Sequence, residues 1–322
     1  MFSNGGGSGG GGGGRFGNFN VKFDGPGGGF GSGGGAGSGF EQMFGGGGFG
    51  GVGGGGGRRQ QQQPRRNSPE LFPKNDPSGI APLGKSKFPD AKSKHIWVII
   101  FYDNNNQECA SIKPSLESFT TKVKDTFKVG AVNCKRSSSE RKFCQEKGLD
   151  IDGDLPAFGV VINGEFNLFK EGNKRGATSM KKLHDFAVEK IPFDRVQMIN
   201  HPSVLDDKLH KVAKETNKLG SILLLTDKFE TTSKYASLAY QYRDHFVFGE
   251  SRAKALSMAQ HFKMKKYPLL IAFIPKRGKS DEFDMLKLED VKNQNIGKWI
   301  DSLVSKHGYK NKKKPSSASR KK

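Results

Sequence analysis

Residues 1–57 hold 31 of the chain's 45 glycines, and this stretch sets the limits on everything else. Glycine loses more conformational freedom on folding than any other residue, and here little apolar surface is present to offset that loss. The stretch is therefore expected to be a long disordered arm. Only about 210 residues of ordinary globular composition remain, room for two domains of about 100 residues each. The apolar runs are too short to span a bilayer, so no membrane span is expected. Three cysteines exclude both a disulfide-dense scaffold and a multi-cysteine zinc cluster.

The formal net charge of +21 is unevenly spread. Arg15 and Lys22 cancel Asp24 and Glu41 within 1–57. Segment 58–94 has nine basic and three acidic residues, and 310–322 has seven basic residues and no acid. The basicity therefore sits in the flanks, as solvated tails or as contacts for nucleic acid or an anionic membrane. Eight phenylalanines, among them Phe16, Phe19, Phe40 and Phe49, punctuate the arm. Isolated aromatics on a flexible chain suit transient docking into a partner's apolar groove. Segment 58–94 is expected to be a second linker, because Pro64, Pro69, Pro73, Pro77, Pro82 and Pro89 interrupt every helix start. Within it, Gly79-Ile80-Ala81-Pro82-Leu83-Gly84-Lys85-Ser86 matches the phosphate-binding loop pattern. That loop works between a buried strand and a helix whose first amides face the phosphates. With Pro82 inside the match and Pro89 behind it, no nucleotide site is expected.

Order is expected to begin near His95. Ile96–Tyr102 is a continuous β-branched and aromatic run, the mark of a strand buried on both faces. A helix is expected over 109–127, kinked at Pro114, then a strand at 129–134 and a helix at 138–147. Pro156 opens a strand at 157–162, Asn163-Gly164 signals a hairpin into 165–170, and a helix spans 177–190. The pattern repeats downstream, with strands at 195–199, 221–226, 245–249, 269–274 and 282–288. Helices are expected at 203–217, 229–243, 251–263 and 291–305. The class is α/β, with parallel crossovers followed by a hairpin in each unit.

The residues around the first unit's central strand resemble the tandem thioredoxin-like domains of protein disulfide isomerases. A strand ending Phe101-Tyr102 runs through a short loop to Cys109, and Pro114 stands five residues further on. In that alignment Cys109 takes the place of the second, resolving cysteine, and Asn106 the place of the nucleophile. Pro156 takes the place of the family's cis-proline, preceded by Leu155 where threonine or tyrosine is usual. Tyr267-Pro268 repeats that turn in a second unit whose strand end, Thr226-Asp227-Lys228-Phe229, has no cysteine near it. The resemblance implies a structural Cys134–Cys144 disulfide in an oxidising compartment, or two apolar fillers in a reducing one. It also implies binding of unfolded or cysteine-containing polypeptide. The chemistry of the site points the same way, because dithiol exchange needs two thiols and Asn106 cannot act as one. No catalytic residue, cofactor or metal is therefore expected.

The arm adds a second likeness. Phe16–Asp24 and Phe40–Phe49 resemble the Gly/Phe-rich segment behind the J domain of co-chaperones, which implies a heat-shock ATPase as a further partner. The J domain's His-Pro-Asp triplet is missing, and His201-Pro202-Ser203 does not replace it. The chain is then either a piece of a J-domain/thioredoxin protein or lacks that activity. The likeness implies the endoplasmic reticulum lumen, although Met1–Asn4 is not the start of a signal peptide and the C-terminus is not a retrieval signal; the cytoplasm stays open.

The expected plan is an arm at 1–57, a linker at 58–94, a degenerate thioredoxin-like domain at 95–192, a redox-silent one at 193–308 and a basic tail at 309–322. The function expected is a non-catalytic folding factor. Two alternatives stand beside it: a nucleic-acid scaffold using the glycine-rich arm and basic tail, and a monothiol redox protein using Cys109. The first lacks the Arg-Gly repeats and aromatic-basic strands of RNA-binding domains.

Overall fold

The computed structural model describes residues 69–170, 179–253, 255–276 and 279–308. The arm at 1–57, residues 58–68 of the expected linker and the tail at 309–322 lie outside them. The described chain forms two five-stranded mixed sheets. In the first, β1 (Ala81–Leu83), β2 (Trp97–Tyr102), β3 (Lys128–Asn133), β4 (Ala157–Ile162) and β5 (Glu165–Phe169) lie in the order β1-β3-β2-β4-β5. The pairs β1/β3 and β2/β3 are parallel and β2/β4 and β4/β5 antiparallel, so of the expected parallel crossovers the one from β2 to β3 forms, while β4 returns antiparallel. The second sheet repeats this order and sense with β6 (Val196–Met198), β8 (Phe246–Arg252), β7 (Gly220–Thr226), β9 (Leu269–Lys276) and β10 (Lys279–Leu288).

Helices α1 (Gln107–Val123), α2 (Ser138–Glu146) and α3 (Met180–Glu189) belong to the first unit. The helix expected at 203–217 is wound as a 3-10 turn (Pro202–Val204), a π-helical stretch (Asp206–Lys211) and α4 (Val212–Glu215). Helices α5 (Ser233–Gln241), α6 (Leu256–His261) and α7 (Ile296–Gly308) complete the second unit. Two boundaries move because of caps. Asn106 starts α1 two residues before the expected 109, and Thr232 starts α5 four residues after the expected 229.

The linker expectation needs correction. Residues 69–94 are part of the first unit, not a tether. β1 is the sheet's outer strand, and Phe72, Ile80 and Leu83 are buried in the first core. Proline excludes helix here, as expected, but an edge strand tolerates Pro82 because it needs ladder bonds on one side only. With β1 included, the first unit acquires the same strand plan as the second.

The hairpin signal at Asn163-Gly164 is realised with both residues in the left-handed region, at φ 52° and 79°. A Cβ on Gly164 would stand 2.6 Å from the Ala91 amide, so this turn admits little else. The same turn joins the two units. The buried Tyr240 hydroxyl donates to Asn163 Oδ1 at 2.9 Å and accepts from the Asn163 amide at 3.0 Å. Arg243 stacks on the Tyr240 ring and donates to the Ser93 carbonyl at 3.1 Å. Asp125 and Lys234 add an exposed ion pair.

If residues 69–94 are core, Phe72→Ala should cost about 3–4 kcal/mol in urea unfolding of the full chain. A loss under about 1 kcal/mol would return the segment to a linker.

Candidate functional site

α1 begins where β2 ends, which places its first turn at the carboxyl edge of the first sheet. Asn106 is its N-cap: Oδ1 accepts from the amides of Glu108 at 2.7 Å and Cys109 at 3.2 Å. Two of the amides that a helix start leaves unpaired are thereby satisfied. The Asn106 Nδ2 group reaches across to the Leu155 carbonyl at a longer 3.4 Å. Leu155–Pro156 is a cis peptide bond, as is Tyr267–Pro268. Asn106, Cys109 and the Pro156 turn therefore meet at one place.

Cys109 is fully buried, and the Asp103 amide donates to its sulfur at 3.5 Å. Burial, helped by the Asp103 and Glu108 carboxylates, pushes its thiol up to about 11. A reactive cysteine needs the opposite, an accessible and stabilised thiolate. Above it, Lys135 pairs with Asp103 at 3.3 Å and Asp152 at 3.1 Å. These carboxylates, Asp152 foremost, raise the lysine's pKa and hold it cationic.

Three residues with no sequence signal for the site brace the loop before α1. Glu70 accepts from the Tyr102 hydroxyl at 2.7 Å and from Asn133 Nδ2 at 3.2 Å. Asn104 accepts from the Leu71 amide at 2.8 Å and donates to the Pro69 carbonyl at 3.0 Å. Lys135 is the third. The segment 69–72 thus straps the loop from outside, and burial together with Glu70 raises the Tyr102 pKa.

Cys134, just past β3, and Cys144 in α2 are joined by a disulfide, with Cα atoms 5.8 Å apart. The Gly79–Ser86 match has no phosphate cradle. The Lys85 amide donates to Glu140 at 3.1 Å, and only a single 3-10 turn, Lys85–Lys87, follows. A Cβ on Gly84 would come within 2.6 Å of that same carboxylate. His201 caps the short turn at Pro202, accepting from the Ser203 amide. Among the described residues, no three His, Cys, Asp or Glu side chains gather as a metal site, and no helix is long and apolar enough to cross a membrane.

In the second unit the loop after β7 carries Asp227, Lys228 and Phe229, whose ring is 77% exposed. These three, with Arg252 and Ala253, line a cavity of about 110 Å³. Glu250, buried beneath, lies 3.6 Å from Arg252 Nε. Leu256, at the start of α6, is 67% exposed.

Two units of this strand order, each with a helix springing from the central strand and a cis-proline opening the next antiparallel strand, define a tandem thioredoxin-like protein of the protein disulfide isomerase fold type. The chain is 26% identical over 206 residues to a Dictyostelium discoideum protein named "Putative protein disulfide-isomerase". The match covers 62% of this chain and 46% of the relative, so the chain spans about half that protein's length. No family model matches. Solved structures with a likeness include ERdj5 form II, at 14% identity and a TM-score of 0.41, covering 72% of this chain and 30% of that one. The J-Trx1 fragment of ERdj5 is 24% identical with a TM-score of 0.30, over 37% and 54% of the two chains. Human ERp44 form I is 15% identical with a TM-score of 0.28, over 69% and 55%.

Two outcomes follow from this geometry. With a pKa of about 11, on the order of one Cys109 thiol in a thousand is ionised at pH 8. Native protein should therefore react with iodoacetamide at least about 100-fold more slowly than urea-unfolded protein; comparable rates would refute the buried thiol. Non-reducing peptide mapping should join Cys134 to Cys144, a closure worth about 2–3 kcal/mol, and leave Cys109 free.

Proposed function

We propose that the chain is a non-catalytic protein-folding factor that holds unfolded or cysteine-containing polypeptide against its thioredoxin-like units. One observation carries the reading. The position where a dithiol enzyme keeps its nucleophile is filled by Asn106, whose amide is engaged with α1 and the Leu155 carbonyl. The remaining thiol, Cys109, is buried with its pKa raised. Disulfide exchange proceeds by thiolate attack and resolution by a second thiol, and neither step has a group to perform it. The mechanism left to the fold is binding.

The second unit supports that role. Phe229, in the lining of a small cavity with Lys228 and Arg252, and Leu256, at the start of α6, offer apolar surface. An unfolded client would bury its own apolar side chains there, a gain that salt does not screen. We further propose two client-binding domains, 69–192 and 193–308. The Gly/Phe arm would then engage a heat-shock ATPase. The relative's name and the Cys134–Cys144 bridge support an oxidising compartment, the endoplasmic reticulum lumen. The reading calls for no cofactor, because holding a chain requires no redox or group-transfer chemistry.

The test uses the full chain in two assays. Insulin reduction should show the same background rate as a Cys109→Ser variant, and Asn106→Cys should create a measurable redox couple. Aggregation of a denatured client should be suppressed at low and high salt alike. The pair Phe229→Asp and Leu256→Asp should weaken that suppression by roughly tenfold. Turnover above the Cys109→Ser background, or protection that vanishes in salt, would overturn the reading.

A further inference from the structure

A second surface, on the first unit and lined by other residues, has features that client binding does not use. Along the outer strand β1 lies an open cavity of about 280 Å³. Its walls are both apolar, from Pro73, Pro82 and Leu83, and cationic, from Lys74, Lys87 and Arg136. The acid in the lining, Glu70, is engaged with the Tyr102 hydroxyl and Asn133. Among the described residues neither Lys74 nor Lys87 meets an acidic side chain, and both are exposed. Arg136 is half-exposed and held by Glu140 at 3.4 Å, on the loop that the Cys134–Cys144 bridge closes. Glu140 in turn fastens the Gly84–Lys85 turn, so one carboxylate fixes both the cavity wall and one of its cations.

We propose that this cavity docks an acidic, extended polypeptide segment whose one face carries both carboxylates and apolar side chains. Unpaired cations around a concave surface call for a partner carrying carboxylates. The proline and leucine walls call for apolar side chains on the same face as those carboxylates, which in an extended chain places the two kinds at every second position. A nucleic acid would find phosphate partners here but no platform for its bases, since Phe72, the aromatic of the lining, is 1% exposed. The arm and tail, being neutral or basic in sequence, do not fit the cavity, so the occupant comes from another protein. This docking does not rest on the client-binding reading, and either can fail alone.

The experiment measures fluorescence anisotropy of a labelled decapeptide with glutamate and valine taking turns at every second position and serine between them, titrated with the full chain at about 50 mM salt. Its twin replaces each glutamate by glutamine, and a single-stranded RNA of ten nucleotides is the third probe. Because the chain is strongly basic, the control variant must change net charge equally. Lys74→Glu/Lys87→Glu is therefore compared with Lys181→Glu/Lys182→Glu on α3, all four lysines being exposed. The glutamate peptide should bind the wild type and the α3 variant alike, and bind the cavity variant at least about tenfold more weakly. The glutamine twin should bind more weakly than either. Equal losses in both variants would reduce the effect to overall charge and overturn the proposal. It would also fall if the peptide does not bind, or if the cavity substitutions weaken RNA alone.

Discussion

The side chain of Asn106 uses its oxygen to close the open end of α1 and its nitrogen to reach the carbonyl before Pro156. A carboxamide offers an acceptor and donors at once, so one residue links a helix start to a turn on another strand. A thiol in that position would leave the helix amides for a substrate or for water. Asparagine spends them internally. The loop before α1 and the turn at Pro156 are thus held together by a side chain that carries no thiol.

Around that link the other braces are mutually dependent. The strap at 69–72 reaches the loop through Asn104 and Glu70, and it remains in place because Phe72 is buried in the core. Lys135 sits between Asp152 and Asp103, and the Asp103 amide meets the buried sulfur. The Cys134–Cys144 bridge ties the following helix to the end of β3, and Glu140 of that helix anchors the turn after β1. The edge strand, the disulfide loop and the site thus share anchors, although the chain segments lie far apart in sequence. The two units meet through similar economy: Tyr240 fills the hairpin turn of its neighbour and satisfies both its own hydroxyl and the Asn163 amide.

The order of strands and helices was legible because it rests on local signals. Buried parallel strands read as unbroken β-branched and aromatic runs, and Asn-Gly between two such runs reads as a hairpin. β1 escaped because three residues with a proline at their centre carry no periodicity. Only the neighbouring Gly130–Val132 segment makes them a strand. The cap at Asn106 has a local signal, an asparagine ahead of a helical pattern, and that signal places the start of α1 at Gln107.

What the sequence determined by itself is the α/β plan and the absence of a cysteine three residues before Cys109, where Asn106 stands. These depend on composition and short-range spacing, which no fold can alter. What tertiary structure decided is that Asn106 reaches Leu155, that Glu70 and Asn104 brace the loop, and that a proline-rich stretch packs as an edge strand. Each joins residues some 30 to 60 positions apart. Contacts at that separation are selected by the packing of the whole core and leave no periodic trace in either partner.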